Sequence, residues 1–206
     1  AASDVYKRQV YRVVERSATH VVMEAAWTNG LRLRKTFRLD PRRFHLDLEM
    51  ELTNESGEPL SLSYLLVGSP GLNPETRKAN DLQASVYLER SQVKTVHLRS
   101  LRKGPKVFAG AGLTWVAGAN QYFAAALVPR KATAASALVM PAGSAESLAR
   151  LAALAVGPEA DAEAAKVLAG DMLAQNQHAL TAVLSTPLEL APGEEVTHQY
   201  LSLIHI

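Results

Sequence analysis

"LRLRKTFRLDPRRFHLDLEMEL", residues 31–52, alternates with period two on both sides of a short turn. In its first half Leu31, Leu33, Phe37 and Leu39 point one way and Arg32, Arg34, Thr36 and Arg38 the other, with Lys35 breaking the apolar side. In its second half Phe44, Leu46, Leu48, Met50 and Leu52 oppose His45, Asp47, Glu49 and Glu51. Successive strand side chains point to opposite faces, so each half is a strand with one buried face. Asp40-Pro41-Arg42-Arg43 supplies the turn. Pairing Leu39 with Phe44 sets Arg38 against His45, Thr36 against Asp47, Arg34 against Glu49 and Arg32 against Glu51. Opposite charges then face each other across the ladder, each pair contributing about 0.2–1 kcal/mol. The polar face needs no ligand to explain it.

The same signals extend outward. Residues 10–16 and 20–27 form strands, with Asn29-Gly30 as a hairpin turn. "TNESGEP" (53–59) is a turn into "LSLSYLLV" (60–67), where Leu60, Leu62, Tyr64 and Leu66 repeat the alternation. Residues 68–81 hold two prolines and two glycines and form a long loop. Strands follow at 85–90, 93–99 and 106–109, and the chain stays β to about residue 141. Residues 144–175 then turn rich in Ala, Leu and Glu. Leu148, Leu151 and Ala155 fall at helical spacing, and Gly157-Pro158 breaks that helix. Pro158 starts a second helix, with Glu159, Asp161 and Glu163 placed well near its N-terminus. Its stripe of Ala165, Leu168 and Met172 is expected to pack on the rim of the sheets, leaving the segment removable. Strands return at 180–184, 188–190 and 196–200, with "APGEE" (191–195) turning between the last two.

"VFAGAGLTWVAGANQYFAAALVP" (107–129) is the longest uncharged stretch and has the length of a membrane span. Its content argues otherwise. Gly110, Gly112 and Gly118 weaken a helix, and Thr114, Asn120 and Gln121 put polar groups near its middle. Two buried strands, 113–117 and 122–128, around a bend at 118–121 fit better, with Trp115 and Phe123 buried.

The chain has 206 residues, enough for one large domain or two small ones, and a formal net charge of +2, too small to argue for nucleic acid. It has no cysteine, which excludes disulfides, thiolate catalysis and Cys-ligated metals. Residues 1–9 and 201–206 resemble translated sequencing-adapter sequence and are expected to be appended tails around one domain spanning 10–200.

The stretch "WVAGANQYFAAALVP" (115–129) resembles the Trp…Gln-Tyr-Phe…Pro signature in the periplasmic domain of YidC-type membrane-protein insertases. "RKTFRL" (34–39) with "TNESGEPL" (53–60), and "LELAPGEE" (188–195), agree with that domain in the right order, so the resemblance spans about residues 10–200. The resemblance implies an all-β fold, an antiparallel β-supersandwich of galactose-mutarotase-like architecture, with 144–175 as a short helical insertion. It also implies a place on the periplasmic side of the bacterial inner membrane, in a parent protein with a signal-anchor helix and a five-helix insertase core. The implied partners are membrane-protein clients and components of the Sec translocon, with no cofactor and no metal.

The mutarotase-like architecture raises a second possibility, a carbohydrate-active or carbohydrate-binding sandwich. Such an enzyme needs a positioned base and acid, here drawn from Glu51, Glu189 and Glu194 with His20, His45, His97, His178 and His198. None of these stands in a recognisable sugar-site motif, and fold does not give function. His45, Asp47 and Glu49 share a strand face, but a solvated charge ladder explains them better than a metal does. Trp115, Tyr122 and Phe123 read first as core; the alternative, and the candidate contact site, is a cleft between the sheets formed by Trp115, Asn120, Gln121, Tyr122 and Phe123. There the two amides would hydrogen-bond an extended peptide while the aromatics line the groove.

Overall fold

The computed structural model describes residues 11–43, 45–68, 83–88, 92–109, 112–119, 123–130, 134–156, 160–175 and 178–205. Nine strands build one antiparallel sheet in the order β1 (Arg12–Arg16), β2 (His20–Ala26), β3 (Leu31–Leu39), β4 (His45–Asn54), β15 (Glu195–His205), β11 (Ala124–Arg130), β10 (Leu113–Ala119), β7 (Gln83–Leu88) and β8 (Gln92–His97). A second sheet runs β6 (Leu65–Val67), β13 (Ala179–Ser185), β12 (Ala134–Pro141) and β9 (Lys106–Ala109). β14 (Leu188–Leu190) pairs with β5 (Leu60–Leu62). Between the large sheets lies one core. Leu33, Leu48, Met50, Leu52, Val116, Leu127 and Tyr200 meet Ala137, Val139 and Val183 from the smaller sheet. The fold is the expected antiparallel sandwich.

Strand β3 has the bounds read from its alternation, and β4 takes the predicted face, with Leu48, Met50 and Leu52 buried. The register differs. Leu39 lies opposite Leu46, Arg38 opposite Asp47, Thr36 opposite Glu49 and Arg34 opposite Glu51. Phe44, the predicted partner of Leu39, lies outside the described residues. The cause is the turn: Asp40 accepts the Arg42 amide on Oδ1 at 2.8 Å and the Arg43 amide on its carbonyl at 3.2 Å. That closure takes two more residues into the connection. A shift of two preserves every side chain's face, which is why the alternation alone could not distinguish the registers.

The run 60–67 is not one strand. Ser63 and Tyr64 divide it, sending β5 to β14 and β6 to β13. Ser185 holds the break: its Oγ accepts the Tyr64 amide at 3.0 Å, and its own amide donates to the Tyr64 carbonyl at 3.0 Å. The predicted strand 93–99 is shorter than expected, because Leu98 and Leu101 turn inward at three-residue spacing and form the 3-10 helix Leu98–Lys103.

Residues 107–129 hold β-strands, as their glycines and amides suggested, and no helix among the described residues is long and apolar enough to cross a membrane. β10 runs on through Gly118 to Ala119, past the predicted start of the bend. β15 extends to His205, its residues 201–205 pairing with β11.

The two helices are α1 (Ala145–Val156) and α2 (Ala162–Gln175). Ser144 caps the first, accepting the Ser147 amide on Oγ at 3.1 Å. Asp161 caps the second, accepting the Glu163 and Ala164 amides at 3.0 Å each. Their place corrects the expectation of a rim. They cover the outer face of the smaller sheet, where Leu138, Met140, Leu180 and Ala182 meet Leu148, Leu151, Ala165, Ala169 and Met172 in a second core. β12 is therefore buried on both faces, Ala137 and Val139 inward and Leu138 and Met140 outward. Its unbroken apolar run, Ala137–Leu138–Val139–Met140, is what double burial requires.

Candidate functional site

The face of the nine-stranded sheet that turns away from the smaller sheet carries three cross-strand rows of side chains. One runs Arg12, Glu24, Arg34, Glu51 and Thr197. The next runs Glu15, Val22, Thr36, Glu49, Gln199 and Arg130. The third runs His20, Arg38, Asp47, Leu201 and Val128. Val22 and Thr36 are buried beneath the longer neighbours and floor a shallow cavity of about 540 Å³, lined by Glu15, His20, Arg34, Arg38, Glu49 and Glu51 among others.

The charges of this face are matched. Glu24 takes Arg34 at 2.8 Å and Arg12 at 3.4 Å, and Arg34 also approaches Glu51 at 3.5 Å. Glu49 holds Arg38 at 3.5 Å and accepts the Gln199 amide at 2.9 Å. His20 lies 2.8 Å from Glu15 and 2.7 Å from the Ser17 hydroxyl. Asp47 faces His45 at 3.5 Å and Arg130 at 3.9 Å. Exposed pairs of this kind stabilise by about 0–1 kcal/mol each. Their larger effect is to hold the long side chains upright around the cavity.

Trp115 belongs to this same open face. Val116 beside it is fully buried in the core, so Trp115 points outward and is half-buried, not buried as expected. Phe123, just before β11, is also half-buried. Since Trp115 faces away from the second sheet, it lines the open face and not a cleft between sheets. Asn120, Gln121 and Tyr122 lie outside the described residues.

The histidines do not converge. His97 is exposed, His45 and His178 are half-buried on separate elements, and His20 sits at the cavity wall. His198 lies on the core side, 5% exposed. Its Nδ1 is 2.5 Å from the Tyr64 hydroxyl, which is 2.7 Å from the hydroxyl of fully buried Tyr200. Burial lowers the His198 pKa, so the neutral ring is favoured. Burial, and then the neighbouring Tyr200 hydroxyl, pushes the Tyr64 pKa far above the usual tyrosine range. The His-x-Tyr spacing placed both side chains on one strand face; Tyr64 joins them through the β5–β6 break, which no local pattern revealed. Lys35, the exception in the apolar alternation, directs Nζ to the Tyr11 hydroxyl at 2.7 Å and over the Tyr11 ring at 4.6 Å. Desolvation lowers its pKa. Among the described residues no group of three or more His, Asp or Glu is arranged to hold a metal.

The family model of the YidC periplasmic domain matches residues 3–192. No curated protein matches the chain. Among solved structures, a galactose mutarotase-like protein from Lactobacillus casei ATCC 334 superposes with a TM-score of 0.59 at 11% identity, covering 95% of this chain and 73% of that one. A galactose mutarotase related enzyme from Lactobacillus acidophilus gives 0.59 at 10% identity, covering 95% and 71%. The alpha-galactosidase from Lactobacillus brevis gives 0.52 at 11% identity, covering 95% of this chain but 26% of that one. At such identities the likeness concerns the fold alone.

Proposed function

This chain belongs to the YidC periplasmic domain family, and we propose that it is a non-catalytic scaffold through which a membrane-protein insertase meets its partners. The family places it on the periplasmic side of the bacterial inner membrane, as a domain associated with the insertion of membrane proteins. The proposed partners are client proteins emerging on that side and components of the Sec translocon. The contact surface is the open face of the nine-stranded sheet, from the ion-paired rows on β3 and β4 across to Trp115. The observation that supports this reading is the matching of charge on that face. An acid or base committed to a cross-strand partner is poorly placed for turnover, whereas a rigid array of paired donors and acceptors suits recognition. The test is photo-crosslinking from Arg38 and Trp115 in the intact insertase while a client is being inserted. Adducts to client or Sec components are expected from both positions; adducts that form equally well from Arg150 on α1 would defeat the assignment of the face.

One observation favours a second reading. The cavity beside His20, Glu49 and Glu51 lies on a fold shared with sugar-processing proteins. Polarimetry with free aldoses addresses it: mutarotation by the isolated chain, lost on His20→Ala, would replace the scaffold by an enzyme.

A further inference from the structure

The near-neutral total of this chain conceals a strong asymmetry. Residues 90–145 contain eight Lys and Arg and not one Asp or Glu. The rest of the chain, with 14 cations against 20 acids, is net negative. Five of the eight cations, Lys94, Arg99, Arg102, Lys103 and Lys106, fall within "KTVHLRSLRKGPK", residues 94–106.

The fold turns that run into a single basic edge. β8 ends the nine-stranded sheet and β9 ends the smaller one, and the 3-10 helix joins the two edges. Leu98 and Leu101 are buried at 5% and 0% exposure and pin the helix to the core. With those two inward, Arg99, Arg102 and Lys103 are forced out, and all three are exposed, as are Lys94 and His97 on β8. Gly104 closes the helix in a left-handed conformation, φ 106°, its amide donating to the Leu101 carbonyl at 3.1 Å, and Lys106 follows on β9. The contrast with the open face is sharp. There every arginine of the cross-strand rows meets an acid, whereas no ion pair among the described residues involves Lys94, Arg99, Arg102, Lys103 or Lys106. α2 packs against the 3-10 helix; its Glu163 is paired with Lys166 at 3.3 Å, and no ion pair among the described residues joins its Asp171 to the basic edge.

Unpaired cations held side by side on a rigid edge attract a surface of negative charge. We propose that the edge formed by residues 94–106 docks on the anionic phospholipid headgroups of the inner membrane and so fixes how the domain sits above the bilayer. The family assignment contributes only the nearness of that membrane; the scaffold reading of the open face stands or falls separately. Several basic groups must act together, since each near an anionic surface strengthens partitioning about fivefold. Tethering to a membrane-anchored parent would raise the effective concentration and make weak contacts sufficient.

The test is co-sedimentation of the 206-residue chain with phosphatidylcholine vesicles, with and without phosphatidylglycerol. Binding is expected only with phosphatidylglycerol, declining as salt is raised. The triple variant Arg99→Glu, Arg102→Glu, Lys103→Glu should lower partitioning by about two orders of magnitude or more. The control Arg16→Glu, Arg42→Glu, Arg43→Glu makes the same change in net charge elsewhere and should retain most of the binding. Thermal unfolding of both variants confirms that they fold. Equal binding to neutral vesicles, equal loss in the two triple variants, or no binding by the parent chain would each overturn the proposal. So would binding to single-stranded DNA that matches phosphatidylglycerol vesicles at equal salt and falls equally with the 94–106 variant, because the edge would then be a general polyanion site.

Discussion

Asn54 joins three segments, and replacing it measures what that junction contributes. The residue is completely buried. Its Nδ2 donates to the carbonyls of Glu58 at 2.8 Å and Leu190 at 2.9 Å, while Oδ1 accepts the Ser56 amide at 2.9 Å and the Ser56 hydroxyl at 2.6 Å. All four hydrogen-bonding positions of the amide are used. In Asn54→Ala the Leu190 carbonyl loses its buried donor, while the carbonyl of exposed Glu58 keeps the Ser56 hydroxyl at 2.9 Å. A buried orphan costs about 1–3 kcal/mol, so the Leu190 carbonyl alone accounts for about 2 kcal/mol. For a domain of this size that lowers the midpoint of thermal unfolding by about 4–8 °C. Asn54→Asp is the sharper test. It keeps the acceptor for Ser56 but, when ionised, offers no donor and sets a buried carboxylate against two carbonyls. Burial raises the pKa of such a carboxyl above its unfolded value. The variant is then least harmed below the unfolded pKa, and loses stability as pH rises through the folded one. Calorimetry at pH 5 and pH 8 should show a deficit for Asn54→Asp that grows with pH and one for Asn54→Ala that does not. A variant Asn54→Asp as stable as the parent at pH 8 would refute the reasoning, since the two donors would then contribute nothing.

Deleting 144–175 and bridging the gap with glycine and serine should abolish cooperative unfolding, because Leu138, Met140, Leu180 and Ala182 lose their covering layer; a cooperative calorimetric transition in the deletion would show that the helices are dispensable. Gly30→Ala should destabilise by about 1–3 kcal/mol, because Gly30 has φ +85° and an added Cβ would come within 2.6 Å of Ser56 Cβ; the chemical-denaturation midpoint reads the loss. His198 has a pKa lowered by burial from its ordinary 6.5, so the unfolded chain takes up the proton first. Stability should therefore fall as pH drops below about 6.5, levelling off only beneath the lowered folded value, and His198→Asn should remove that part of the pH dependence of the thermal midpoint.

Much of this fold was legible because its signals are local. Alternation over 31–52 requires strands whatever the rest of the chain does, since a period of two places Leu33 with Leu31 and Arg32 with Arg34 on fixed sides. The glycines and amides of 107–129 exclude a membrane helix, and the stripes around Leu151 and Ala165 mark helices by the same kind of near-neighbour spacing. The motifs at 34–39, 53–60, 115–129 and 188–195 pointed to the family for a related reason. Asn54 and Gly30 occupy turns whose geometry few residues satisfy.

What the sequence left open concerns pairing over distance. Two registers of β3 on β4 bury the same leucines, and the Asp40 turn chose between them. The run 60–67 alternates throughout, yet two different partner strands divide it. The helical stripes show that something must be covered; only the packed structure shows that it is the far side of β12 and β13. The candidate site has the same origin. Gln199 reaches Glu49 across 150 positions of sequence, and Tyr64 reaches His198 across 134. The basic edge needs Leu98 and Leu101 to be buried before its arginines turn outward. A residue's near neighbours set its period and its face. Which distant strand lies beside it depends on which arrangement buries the most apolar surface while leaving no buried polar group unpaired, and that comparison involves the whole chain at once.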